Sequence, residues 1–197
     1  MVGMTKVQYY TAASLDGFIA DQENSLDWLY AVPHDDGEST WDDFIEGVGP
    51  MVMGATTYQW AFGQHDYGDN PGQWREYYDD RPCWVFTHRE LPSIPGVDIR
   101  FVSGDVRPVY DEMVATRPGN VWLVGGGELV GQFDDAGLLD EIHVHVTPVV
   151  LGGGAPLLPR RITSERLSFR EGSVSGQRLN VVLDVRRQAG AEPASSK

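Results

Sequence analysis

The sequence predicts an α/β domain: a mixed, mostly parallel sheet with helices on both faces, closed by a C-terminal antiparallel hairpin. Three features carry this. Short apolar runs rich in β-branched residues alternate with segments of helical spacing, and strands joined through helices run parallel. The run Val121-Trp122-Leu123-Val124 passes straight into Gly125-Gly126-Gly127 and then a segment able to open a helix, which is the form of a buried strand turning tightly into a helix. Finally, Leu167–Glu171 and Arg178–Arg187 pair across Ser173-Val174-Ser175-Gly176, too short a link for anything but antiparallel strands. At 197 residues the chain suits one domain with a substantial core. Residues 1–187 read as that domain and residues 188–197 as a disordered tail by composition.

The elements follow in order. Thr5 to Ala12 reads as the first strand, and Gly17 breaks the extended chain after it. Ser39 or Thr40 can cap a helix in which Trp41, Phe44, Ile45 and Val48 recur at helical spacing, with Asp42 and Asp43 in the first turn, where the dipole favours them. Gly49-Pro50 is expected to end it. Met51-Val52-Met53 is a buried strand that Gly54 turns into Ala55-Thr56-Thr57-Tyr58. Residues 64–80 are polar and rich in Gly, Asp and Tyr, and are expected to form a loop at the substrate opening. Cys83 to Thr87 and Asp98 to Val102 are strands. Asp105 to Arg117 is a helix, with Val106, Val109, Tyr110, Met113 and Val114 on one face and Pro108 tolerated in the first turn. Asp140 to Val150 alternates Ile142, Val144 and Val146 against His143, His145 and Thr147, and Leu151-Gly152-Gly153-Gly154 forms a second glycine loop.

Bulk composition narrows the function. A net charge of −14 repels nucleic acid and anionic membrane, so neither is an expected partner. No apolar run is long enough to span a bilayer and no basic-then-apolar leader follows Met1, so the expected location is cytoplasmic. The single cysteine, Cys83, lies in an apolar strand-like run and reads as a buried hydrophobe. His143 and His145 share a strand face, but no third ligand has matching spacing, so no metal is expected.

Four segments sit where strands end: Gly54 to Thr57, Thr87 to Arg89, Ser103 to Asp105, and Gly125 to Leu129. In an open α/β sheet that edge binds ligands. Bare glycine backbone at a helix N-terminus presents N–H groups and positive dipole to one point, which suits a phosphate. The spacing Gly125, Gly127, Gly131 is G-x-G-x-x-x-G, one residue longer than the dinucleotide fingerprint. A tight turn without a ligand explains the same residues. In such a site Thr57 offers a hydroxyl, the triple glycine would hold a pyrophosphate, and His88 and Arg89 could meet an adenosine-ribose phosphate.

At this point the chain resembles the dihydrofolate reductase superfamily and, more narrowly, the reductase domain of bacterial riboflavin biosynthesis, the RibD C-terminal domain. The resemblance runs from Lys6 to about Arg186. It is carried by Ser14-Leu15-Asp16-Gly17-Phe18-Ile19-Ala20, by Met53-Gly54-Ala55-Thr56-Thr57-Tyr58, by Val124-Gly125-Gly126-Gly127-Glu128-Leu129, and by Asp140-Glu141-Ile142 leading to Pro148–Gly154. It implies hydride transfer from NADPH, with NADH possible, to a small-molecule substrate. The best single substrate is a 5-amino-6-(5-phosphoribosylamino)uracil-type pyrimidine; the alternatives are a dihydrofolate or pterin reductase and a non-catalytic nucleotide-binding module of the same fold. By resemblance Gly54, Thr57, Thr87, His88, Arg89 and Gly125, Gly126, Gly127, Glu128, Leu129 bind cofactor. Ser14, Gly17, Gly152 and Gly153 would border the substrate, Asp16 and Asp43 are the candidate catalytic carboxylates, and a homodimer is expected. One departure stands out: where the family commonly has an arginine after the glycine of the Gly54 motif, this chain has Ala55.

Individual residues carry competing readings. Asp16, before a glycine in a turn, equally suits a carboxylate accepting local backbone N–H bonds. Asp42 and Asp43 equally suit dipole partners of their own helix. Glu128 in the first turn complements the dipole and is expected to point outward, since inward it would repel a phosphate. The six tryptophans are expected mostly in the core, with Trp28 and Trp74 able to stack on a planar heterocycle from polar regions.

Overall fold

The computed structural model describes residues 5–33, 40–64, 67 and 70–187. Its elements are β1 (Val7–Ser14), β2 (Phe18–Ala20), α1 (Asp27–Tyr30), α2 (Thr40–Glu46), β3 (Val48–Gly54), α3 (Ala55–Gln64), α4 (Gly72–Tyr78), β4 (Cys83–Phe86), β5 (Ile99–Val102), α5 (Val106–Thr116), β6 (Asn120–Gly125), α6 (Gly127–Asp135), β7 (Glu141–Thr147), β8 (Ala155–Pro156), β9 (Leu167–Ser175) and β10 (Arg178–Val185). Eight strands form one sheet in the order β5-β4-β3-β6-β1-β7-β10-β9. β5 through β7 are parallel, and β10 runs antiparallel to both β7 and β9. β2 and β8 form a separate two-stranded sheet.

Strand periodicity sorts the side chains into two cores. Val52, Trp84, Val121 and Leu123 pack on one face with Val109 and Met113 of α5 and Val130 and Phe133 of α6. Their strand neighbours Met51, Met53, Cys83, Val85 and Trp122 point the other way, onto Phe44 of α2, Tyr58 of α3 and Trp74 of α4. Alternate residues of an extended chain face opposite sides, so near-continuous apolar strands need a helical layer on each face. Cys83 is fully buried, and burial pushes its thiol far above the ordinary cysteine range, which makes it an inert core residue. Among the described residues no helix is long and apolar enough to cross a membrane.

Three segments differ from the sequence expectation. Gly49-Pro50 does not end α2, which stops at Glu46; both residues lie inside β3. A Cβ on Gly49 would sit 2.4 Å from the carbonyl oxygen of Pro118, so the glycine is required by close backbone approach. Pro50 falls where the β3–β6 register shifts, a position that needs no N–H. The 64–80 segment carries α4, and Trp74 and Tyr67 are almost fully buried against each other at 5.5 Å in edge-to-face contact. Its aromatic residues anchor it to the second core, so Trp74 is no stacking platform. In the final hairpin β9 continues to Ser175, leaving Gly176-Gln177 as the turn. Ser39, the Thr40 side chain and the 188–197 tail fall outside the described residues.

Candidate cofactor cleft

A cleft of about 700 Å³ opens where the parallel strands end. The β3–α3 junction, Gly54 to Thr57, and the adjoining β6–α6 junction, Val124 to Leu129, line it side by side. Phe86, Thr87 and His88 after β4, and Ser103-Gly104 after β5, close one end. Ile19, Ala20, Ala155 and Pro156 of the β2–β8 sheet form a cover. Each of the four strand-end segments contributes residues to this cleft, although Arg89 and Asp105 are not among its lining.

Glycine serves two different purposes here. Gly54 and Gly125–Gly126 lie side by side where the paired strands β3 and β6 end: a Cβ on Gly54 would stand 3.7 Å from the Gly126 nitrogen, and one on Gly125 3.4 Å from Thr57 Oγ1. Gly125 also holds a φ of 148°, which side chains disfavour. Gly127 is a packing glycine, since a Cβ there would lie 2.3 Å from the Pro156 carbonyl oxygen. Gly154 likewise admits the Ala20 carbonyl. Gly127 lets the β8 chain rest on the glycine edge, and Gly154 lets the segment before β8 close onto the end of β2.

Gly126 is the N-cap of α6 and offers no side chain to cap it. The first bond of the helix runs from Val130 N–H to Gly126 O at 3.2 Å, so the N–H groups of Gly127, Glu128 and Leu129 precede the intrahelical ladder. They carry the positive end of the helix dipole. A cradle that Cβ atoms would fill, beside these amides, fits the diphosphate of a dinucleotide.

The predicted residues divide clearly. Gly54, Thr57, Thr87, His88 and Gly125–Leu129 line the cleft. Arg89 is exposed and outside the lining; its N–H donates to Thr87 Oγ1 at 2.9 Å, and that hydroxyl donates to the Arg89 carbonyl. Glu128, at the cleft margin, is paired with Arg160 at 2.8 Å, and that hydrogen bond holds its carboxyl below the usual range. Asp16, Ser14, Gly17, Gly152 and Gly153 are not among the residues that line the cleft. The Asp16 carboxylate accepts from Ser14 Oγ at 2.7 Å and from the Leu151 and Gly152 N–H groups at 3.1 and 2.7 Å. The Ser14 bond chiefly, then these amides, lowers its pKa. Asp16 thus ties the loop after β1 to the loop after β7. Asp43 is exposed in the first turn of α2, away from the cleft lining.

Sequence reasoning missed Trp60 and Gln132, which also line the cleft. Trp60 lies one helical turn beyond Thr56 and Thr57, and Gln132 one turn beyond Glu128, so helical spacing from the strand ends could have found both. His143 Nε2 lies 2.9 Å from Glu141 Oε2, and His145 pairs with Asn180; among the described residues no group of three ligating side chains could hold a metal. A second hollow, of about 640 Å³, lies at the opposite end of the sheet. Its charges pair with one another, as in Lys6–Glu141–Arg170 and Arg187–Asp140.

Residues 75–180 match the RibD C-terminal domain family. The chain belongs to this family. The Bacillus subtilis (strain 168) protein YwjB is 30% identical over 176 residues, covering 89% of this chain and 95% of YwjB. The crystal structure of a protein assigned to riboflavin biosynthesis from Shewanella sp. PV-4 has a TM-score of 0.73 at 26% identity, covering 94% of this chain and 100% of that one. The dihydrofolate reductase of Enterococcus faecalis, solved with NADP(H), shares the fold at a TM-score of 0.60 and 12% identity, over 93% and 97% of the two chains. The RibD C-terminal domain here is thus a dihydrofolate reductase-like fold, with the cleft at its parallel-strand edge.

Proposed function

We propose that the protein is a reductase that binds a reduced nicotinamide dinucleotide in this cleft and passes hydride to a small heterocyclic substrate. The observation that carries the reading is the adjoining pair of glycine edges, Gly54 and Gly125–Gly126, beside the uncapped N-terminus of α6. Gly127 to Leu129 would hold the diphosphate through main-chain amides. When bound, the nicotinamide supplies the hydride. The protein's part is to hold, orient and exclude water: Ile19, Ala20, Ala155 and Pro156 cover the cleft with apolar surface. Its only titratable lining residues among those described are His88 and Glu128, and Glu128 is paired with Arg160. In this reading the proton that completes the reduction comes from solvent. Asp16 acts as a positioning residue for the cover, not as an acid.

Family membership supports a pyrimidine of the 5-amino-6-(5-phosphoribosylamino)uracil type as the first substrate to test. The exposure of Asp43 gives no support to pterin protonation. Purified protein is expected to oxidise reduced dinucleotide only when such a pyrimidine, in its phosphorylated or dephosphorylated form, is present. Binding without oxidation across pyrimidine and pterin substrates would replace this reading with a non-catalytic nucleotide-binding module. A homodimer is proposed with it: the edge strand β9 exposes Phe169 and Val174. Sedimentation equilibrium is expected to give twice the monomer mass, and a monomer at micromolar concentration rules it out.

A further inference from the structure

The cleft is notable for a charge it lacks. Its described lining contains no lysine and no arginine. The segments outside the described residues supply no arginine, and their single lysine is the terminal Lys197. Arg160, which the lining residue Glu128 holds at 2.8 Å, is also paired with Asp135 at 2.9 Å. Arg89 follows the lining residue His88 but is exposed and outside the cleft. At the first residue of α3, itself part of the lining, the side chain is the methyl of Ala55.

We infer that the cleft selects the dinucleotide without a 2′-phosphate, NADH over NADPH. This rests on the proposed function and deepens it. The diphosphate common to both dinucleotides can be held by the amides at the start of α6. The ribose 2′-phosphate is a separate monoester with a charge of about −1.5 to −2 near neutral pH, and sites that accept it place an arginine beside it. Without such a partner it must lose hydration in the field of a protein of net charge −14. A ribose hydroxyl needs only neutral partners, and the lining provides them in Thr56 and Ser103.

The test is direct binding, independent of turnover. Titrations of the wild-type protein with NADH and NADPH, followed by nicotinamide fluorescence, are expected to give a dissociation constant at least fivefold lower for NADH. ADP is likewise expected to bind more tightly than 2′,5′-ADP. Ala55→Arg is expected to tighten NADPH at least tenfold with little change for NADH, and His88→Arg provides a second route to the same gain. Equal or tighter binding of NADPH by the wild type overturns this inference and leaves the reductase reading standing. Binding of neither dinucleotide overturns both.

Discussion

Gly54 and Gly127 are indistinguishable in a one-dimensional reading, yet their surroundings assign them opposite consequences. A methyl at Gly54 would meet its nearest atoms at 3.7 and 3.8 Å, ordinary contact distances, while standing between the two glycine edges. Gly54→Ala is therefore expected to keep the thermal midpoint within a few degrees and weaken dinucleotide binding at least tenfold. A methyl at Gly127 would overlap two carbonyl oxygens, at 2.3 and 2.5 Å. Gly127→Ala is expected to destabilise the fold by about 1–3 kcal/mol, as overpacking does, read as a lowered midpoint in denaturant. Asp16 illustrates what sequence reading cannot supply. The Asp-Gly turn was legible, and so was the second glycine loop, but nothing in the chain indicates that the carboxylate of one accepts the amides of the other across 135 or 136 residues. Such pairings are set by the register of β1 on β7. Asp16→Asn is expected to raise KM for the dinucleotide severalfold with a smaller change in kcat; a fall in kcat and kcat/KM by the same factor would instead indicate a direct role in the chemistry.

At the scale of elements, the β1–β7 pair is locked by Glu141. Burial pushes its carboxyl pKa up, but hydrogen bonds from His143, Arg170, Lys6 and Gln8 outweigh burial and hold it far below the ordinary 4.5. A carboxylate lowered by folding contributes stability that is fully present above its ordinary value and is lost as pH falls through its folded value. Denaturant midpoints are thus expected to fall as the medium is acidified below about pH 4.5, and Glu141→Ala should flatten that acid limb. At neutral pH the same substitution is expected to lower stability by about 3 kcal/mol, the low end for a broken buried ion pair, because Lys6 and Arg170 remain partly exposed and can rehydrate. Elements with a clear period, such as α5 and the alternating β7, were legible because one pattern matched one buried face. The 64–80 segment was not, since Trp74 and Tyr67 reach their core from a polar stretch whose composition resembles a loop. Gly49-Pro50 misled for a related reason: its meaning depends on the backbone of Pro118, distant in sequence.

Over the whole molecule, the parallel order from β5 to β7 collects strand ends that the sequence could name but not assemble. The acidic exterior and a cleft lining without lysine or arginine then act together. An anionic dinucleotide approaching a protein of net charge −14 is repelled at long range. Screening shortens from about 30 Å at 0.01 M salt to about 8 Å at 0.15 M. Affinity for the dinucleotide is consequently expected to rise over that range, whereas a site built on arginines would weaken; titration at the two ionic strengths decides between them. The most direct measurement is a crystal structure of the protein soaked in NADH. It is expected to place the diphosphate within hydrogen-bonding distance of the Gly127, Glu128 and Leu129 amides, over the adjoining Gly54 and Gly126 backbone. A dinucleotide seated in the hollow at the other end of the sheet, or a glycine corner left unfilled at saturating concentration, would contradict the account.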